Sequence, residues 1–309
     1  MHSASTQSKR AINPARPEGL PMVDQLKCSP LQTFNIARGD LTFTVDVAGP
    51  RDGLPVLMLH GFPQSRHAWW RQLDILGNAG FRCFAPDQRG YSSGARPLES
   101  EAYALDKLVG DAFGIMDEVG VERFHLVGHD WGGHLAWTMA IRAPERVMNL
   151  AILSRPHPAA FAESFKRDPE QAGRSGHHAA LLAPGTADAL RACGMAPIRS
   201  AFKQQGVPDE DAESYVATLS EAGAMEAAIN WYRAAASTLR DESAPNVSMP
   251  TLYMWGDADS TVGRIAAELT AHHVAGPYHF AAIPGAGHFL TDQVPEIVNA
   301  RLLEHLSGA

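Results

Sequence analysis

The residue best placed to do chemistry is Asp130. It stands in the run Val127-Gly128-His129-Asp130-Trp131-Gly132-Gly133, directly after the apolar stretch Phe124-His125-Leu126-Val127. A small-x-nucleophile-x-small run after a strand marks a strand-turn-helix elbow, which presents a nucleophile at the top of a parallel sheet. Gly128 and Gly132 flank the position where the turn is sharp and a Cβ would clash. Such elbows commonly carry serine. Serine attacking acyl carbon leaves a hydrolysable ester, but attack on alkyl carbon would leave an ether. Aspartate attacking alkyl carbon leaves an ester whose carbonyl belongs to the protein, so water can release the product and restore the acid. The residue type therefore points to epoxides or alkyl halides. An ester or amide hydrolase would need serine or cysteine at position 130.

Two further residues complete a set. Trp255-Gly256-Asp257-Ala258-Asp259-Ser260 closes one predicted strand, and Gly285-Ala286-Gly287-His288-Phe289 follows another. Nucleophile, acid and base in this chain order suit an elbow nucleophile. Loops at the carboxyl ends of parallel strands gather in one crevice, so Asp130, Asp259 and His288 can meet. Asp259 is preferred to Asp257 because it lies deeper in the loop, just before the next helix. Aspartate also serves turns and caps, so the ordered set carries the reading rather than either residue alone. The chain has 14 histidines, and only its place in the order singles out His288. A carboxylate is already ionised at pH 7. His288, oriented by Asp259, is then free to take a proton from the water that attacks the ester. His60-Gly61-Phe62-Pro63 follows the first buried strand. There the backbone N–H of Phe62, with that of Trp131, is expected to form an oxyanion hole. Phe62, Trp69, Trp70 and Trp131 suggest an apolar or aromatic pocket, although Trp69 and Trp70 suit helix-on-sheet packing equally well.

Positioning these residues requires an alternating scaffold. Leu31–Ala37 and Leu41–Val47 read as strands joined through a turn at Gly39-Asp40. Pro55–Leu59, Arg82–Ala85, Phe124–Val127 and Met148–Leu153 read as buried strands. Helical patterns fall at Ala68–Leu76, with Ser65 as its cap, at Tyr103–Val119 and at Gly133–Arg142. Thr251–Trp255 and His279–Ala282 are the last strands and Glu296–Leu306 a closing helix. The alternation predicts an α/β fold with a mostly parallel, doubly wound sheet. Between them, residues 155–245 show helical patterns without a convincing strand. This gives a core of 25–154 and 246–309, a helical cap of 155–245 inserted after the sixth strand, and a loose tail of 1–24.

Composition narrows the setting. The chain has 309 residues, 45% hydrophobic and 19% charged, as expected of a globular protein with one large domain. Its formal net charge of -8 argues against nucleic acid or an anionic membrane as partner. Cys28, Cys83 and Cys193 are far apart, which reads as reduced thiols and a cytoplasmic setting. No run of 18 apolar residues predicts a membrane span. No metal or organic cofactor is expected, and a homodimer is the candidate assembly.

Taken together, His60-Gly61-Phe62-Pro63, Asp87-Gln88-Arg89-Gly90-Tyr91-Ser92-Ser93-Gly94, Gly128-His129-Asp130-Trp131-Gly132-Gly133 and Gly287-His288-Phe289 resemble the epoxide hydrolase branch of the α/β-hydrolase family. The likeness spans roughly residues 30 to 305, with Ser92 standing where the family often has glycine. The resemblance implies hydrolysis of a small epoxide to a diol, with two cap tyrosines binding the epoxide oxygen and donating a proton. Asn230-Trp231-Tyr232-Arg233 matches the family's second tyrosine. At the first, counting back from Pro184-Gly185, stands His177. As imidazolium it would be a stronger acid than tyrosine, so His177 with Tyr232 is a candidate mixed pair, while a solvent-exposed loop histidine is the plainer reading. Tyr215 is the other cap tyrosine, in surroundings that do not match. Phe62, Pro63, Trp131, His177 and Tyr232 are the expected substrate-binding residues. A haloalkane or haloacid dehalogenase using the same aspartate is the alternative. Against it, Phe62 stands where haloalkane enzymes usually have asparagine, and Trp131 and His134 where fluoroacetate enzymes usually have arginines. A non-catalytic hydrolase-like binding protein is the second alternative.

Overall fold

In the computed structural model, residues 31–308 are described. The expected tail and Cys28 lie outside them. Strands β1 (Gln32–Arg38) and β2 (Leu41–Ala48) form the predicted hairpin, with Gly39 at φ 57° in its turn. There follow β3 (Leu54–Leu59), α1 (Trp70–Asn78), β4 (Phe81–Pro86), α2 (Leu105–Glu118), β5 (Phe124–His129), α3 (Trp131–Arg142) and β6 (Val147–Leu153). A helical stretch intervenes: α4 (Pro158–Arg167), α5 (Gln171–Arg174), α6 (His177–Leu182), α7 (Thr186–Ala192), α8 (Ala196–Gln204), α9 (Asp209–Ser220) and α10 (Ala224–Ala235). The core resumes with β7 (Thr251–Gly256), α11 (Arg264–Leu269), β8 (Tyr278–Ile283), α12 (Leu290–Gln293) and α13 (Pro295–Leu306).

The eight strands form one sheet in the order β1-β2-β4-β3-β5-β6-β7-β8. Only the β1–β2 and β2–β4 pairings are antiparallel. Strand β3 reads Leu-Pro-Val-Leu-Met-Leu because both of its faces are covered. Val56 and Met58 pack with Leu73, Leu76 and Leu302, on the side of α1 and α13. Leu57 and Leu59 pack with Leu108, Ala112 and Leu135, on the side of α2 and α3. This period-two split gives the sheet a core layer on each face.

The entry to the first helix departs from the pattern. A 3-10 turn, Arg66–Trp69, precedes α1, and Ser65 caps that turn rather than the helix. Ser92 is tied into the scaffold: its hydroxyl donates to the Asp87 carbonyl at 2.6 Å and accepts from the Thr44 N–H at 2.9 Å. Among the described residues no helix is long and apolar enough to cross a membrane.

Candidate active site

Asp130 sits between β5 and α3 with φ 51° and ψ -117°. An L-residue held there costs about 1–3 kcal/mol, and such strain is tolerated where packing over-determines the turn. A Cβ at Gly132 would run into the backbone of Leu59 and His60, and one at Gly128 into Gly132. The tight elbow thus needs both glycines, as the sequence pattern predicts.

The two carboxylate oxygens of Asp130 face different partners. Oδ1 accepts the backbone N–H of Phe62 at 3.0 Å. Oδ2 lies 3.5 Å from Nε2 of His288. Trp131 opens α3, so its N–H is one of the donors a helix leaves without an internal acceptor. The loop carrying Phe62 is held by Gln88, whose side chain donates to the His60 carbonyl at 2.6 Å.

Nδ1 of His288 lies 2.9 Å from Oδ2 of Asp259. Oδ1 of Asp259 accepts the N–H groups of Thr261 at 2.7 Å and Val262 at 3.0 Å. Asp257 instead accepts the Gly285 N–H on the exposed side of the loop. The structure therefore brings Asp130, His288 and Asp259 together and leaves Asp257 apart. The His288 carbonyl is fixed from beneath by Ser154 Oγ at 2.7 Å and by Nε2 of His129 at 2.9 Å.

Above them lies a cavity of about 460 Å³ lined by Phe62, Pro63, Asp130, His288, His177 and Tyr232, among others. The Tyr232 ring packs edge-on against Phe62 and Trp131, with centroids at 5.2 and 5.1 Å. His178 is nearer to Tyr232 than His177 is, at 5.1 against 6.4 Å. Trp131 itself is covered, in contact with Tyr232 and Trp231. Tyr215 is fully buried elsewhere, and its hydroxyl donates to Asp292.

The model of the alpha/beta hydrolase fold family matches residues 55–173. Epoxide hydrolase A of Mycobacterium tuberculosis (strain ATCC 25618 / H37Rv) is 33% identical over 299 residues, covering 83% of this chain and 91% of that protein. The AB hydrolase superfamily protein YfhM of Bacillus subtilis (strain 168) is 32% identical over 93% of this chain and 100% of its own length. The chain belongs to the epoxide hydrolase branch of the α/β-hydrolase family. Among solved structures, Epoxide Hydrolase A of Mycobacterium thermoresistibile superposes with a TM-score of 0.78 at 27% identity, covering 90% of this chain and 99% of that one. The epoxide hydrolase of Bacillus megaterium in complex with an inhibitor gives 0.79 at 25% identity, covering 89% and 100%.

In this α/β-hydrolase the electrostatics divide the residues by charge state. Burial alone would raise the Asp130 carboxyl, but the hydrogen bond and charge of His288, with His129 and Arg155, hold it well below the usual carboxylate range. Burial alone would lower His288, but Asp259 and Asp130 together raise it well above an ordinary imidazole. Burial, reinforced by the Asp130 charge, raises Tyr232 well above a free phenol, so it keeps its proton. His177 is exposed at the start of α6, as the plainer reading had it; partial desolvation lowers it, and His178, half-buried, falls to about 4. The imidazolium expected at His177 is therefore disfavoured, and the neutral ring remains a donor through one N–H.

Three features of this site were not legible from the sequence. Thr261 Oγ1 bridges Asp259 Oδ1 and His288 Nδ1, at 2.7 Å from each. His178 shares the cavity wall with His177. Arg155, at the end of the predicted β6, is buried and reaches the cavity. A charged residue two positions after a buried parallel strand is the one signal that could have marked it, because such strand ends face the crevice.

Proposed function

We propose that this protein hydrolyses an epoxide to a vicinal diol through an ester on Asp130, with His288 and Asp259 releasing it. The observation that carries this reading is the division of the Asp130 oxygens. Oδ1 is already under the Phe62 N–H, and Oδ2 is left toward the cavity and His288.

Oδ2 attacks a ring carbon and the carbon–oxygen bond breaks. The ring oxygen takes the proton of Tyr232, with His177 as a second hydrogen-bond donor. Esterification removes the Asp130 charge, one of the two that raise His288. The imidazolium then gives up a proton, which restores Tyr232 by way of solvent. Neutral His288 next takes a proton from water as the water attacks Cγ. The negative charge develops on Oδ1, where the N–H of Phe62 stands ready and that of Trp131 is placed to join it. Collapse expels the diol oxygen, which takes the proton from His288, and the proton of the new carboxyl returns to the imidazole. Every proton is accounted for without a cofactor.

His288→Gln should complete the first step and stall at the second. Intact-mass measurement after exposure to styrene oxide should show one substrate mass added, located by peptide mapping at Asp130. An adduct formed with 1-chlorobutane and with no epoxide would replace this reading by dehalogenation.

A further inference from the structure

The catalytic cavity is short of negative charge, although the chain as a whole carries a formal charge of -8. Its lining contains one carboxylate, Asp130, against Arg155, Arg174 and His288. Arg174 is occupied: it donates to Glu170 and to the Asp259 carbonyl. Arg155 is not matched in this way. It is 5% exposed, and Nη2 donates to the Leu239 carbonyl at 3.1 Å. Its guanidinium lies over the Phe161 ring, 4.2 Å from the centroid. Nε has no hydrogen-bond partner. Asp130 and Asp259 act on it only through charge, without a hydrogen bond.

An enclosed guanidinium without a counter-ion is costly, and such groups normally hold an anion. Asp130 feels the charge of Arg155, but its oxygens are engaged with Phe62 and His288. Arg155 lines the cavity in which Asp130 would meet its substrate. A planar guanidinium matches a carboxylate best, since two parallel N–H groups meet two oxygens. Phe161 beside it offers an apolar wall to the rest of such a molecule.

We propose that Arg155 receives a carboxylate carried by the substrate, so that the preferred substrate is an epoxy acid. This rests on Asp130 being the ring-opening nucleophile. Arg155 is then the specificity-determining residue, because an anchored carboxylate fixes which ring carbon faces Asp130.

The test compares 3-phenylglycidate with its neutral amide. The wild-type protein should favour the acid in kcat/KM by about 10- to 100-fold, the range of a charge-assisted hydrogen-bonded pair. Arg155→Gln should bring that ratio to about one, and Arg155→Lys should restore part of it. A wild-type ratio near one, or a ratio that survives Arg155→Gln, would overturn the proposal. Titration of phenylacetate against phenylacetamide onto the wild-type protein separates this inference from the reaction itself. Tighter binding of the acid upholds the anion site even if every epoxide is left unturned, and equal binding refutes it. The wild-type comparisons stand even if Arg155→Gln does not fold.

Discussion

At position 130 a carboxylate replaces the usual hydroxyl in a turn whose geometry is already demanding. Its positive φ, its Phe62 N–H partner and the facing His288 are consequences of the elbow. The elbow, the loop with Asp259 and the loop with His288 were each legible in sequence, because strand ends followed by small and polar residues mark crevice loops. Of the two aspartates in the loop after β7, only Asp259 meets His288. Tyr232 carries the clearest single-residue prediction. Burial beside Asp130 keeps its phenol protonated, so it can give a proton only when an alkoxide develops. Positioned acids contribute about 10²- to 10⁴-fold, and if His177 shares the proposed role, Tyr232→Phe falls near the low end. Its alkylation rate, followed by stopped-flow tryptophan fluorescence with styrene oxide, should fall about 100-fold. An unchanged rate would remove Tyr232 from the reaction.

Between elements, a polar cluster joins α9 to the core. Asp211 accepts from the ring of His67 at 2.9 Å, Trp70 Nε1 at 3.0 Å and Arg71 at 2.7 Å. Asp292 on α12 accepts from Tyr215 at 2.7 Å and from Gln64 at 2.8 Å. This cluster is not legible in the sequence, because its members are scattered over 228 positions and meet only when α9 packs against the Arg66–Trp69 turn. Burial raises Asp292 to about 7, while Asp211 is held near 2, its burial being outweighed by bonds to His67 and Arg71. A carboxyl raised above its unfolded value binds more protons in the folded state, so stability falls as pH rises from about 4 to about 7. Asp292→Asn should remove that slope. Its oxygen can still accept from Tyr215, and Gln64 can turn its free Oε1 toward the new amide. Urea unfolding at pH 4.5 and pH 8 should show the variant gaining on wild type by on the order of 2–4 kcal/mol at the higher pH. An identical pH slope in the two proteins would contradict this.

Across the whole molecule, the strands were legible because buried parallel strands are largely apolar, as β3 is throughout and β5 is apart from His125 and His129. Helix starts were less so: the 3-10 turns Arg66–Trp69 and Ser100–Tyr103 carry the same apolar spacing as the helices they precede. The place of Arg155 is not legible in the sequence because its partners come from separate segments, α4 and the chain near Leu239. The single cavity they share with Asp130 and His288 makes one claim central: the oxygen that enters the diol comes from Asp130 and not directly from water. One turnover of excess enzyme in ¹⁸O-water measures this directly. The diol should be unlabelled, and the peptide carrying Asp130 should hold one ¹⁸O. A labelled diol with an unlabelled Asp130 would mean that water opens the ring itself, and would contradict that claim.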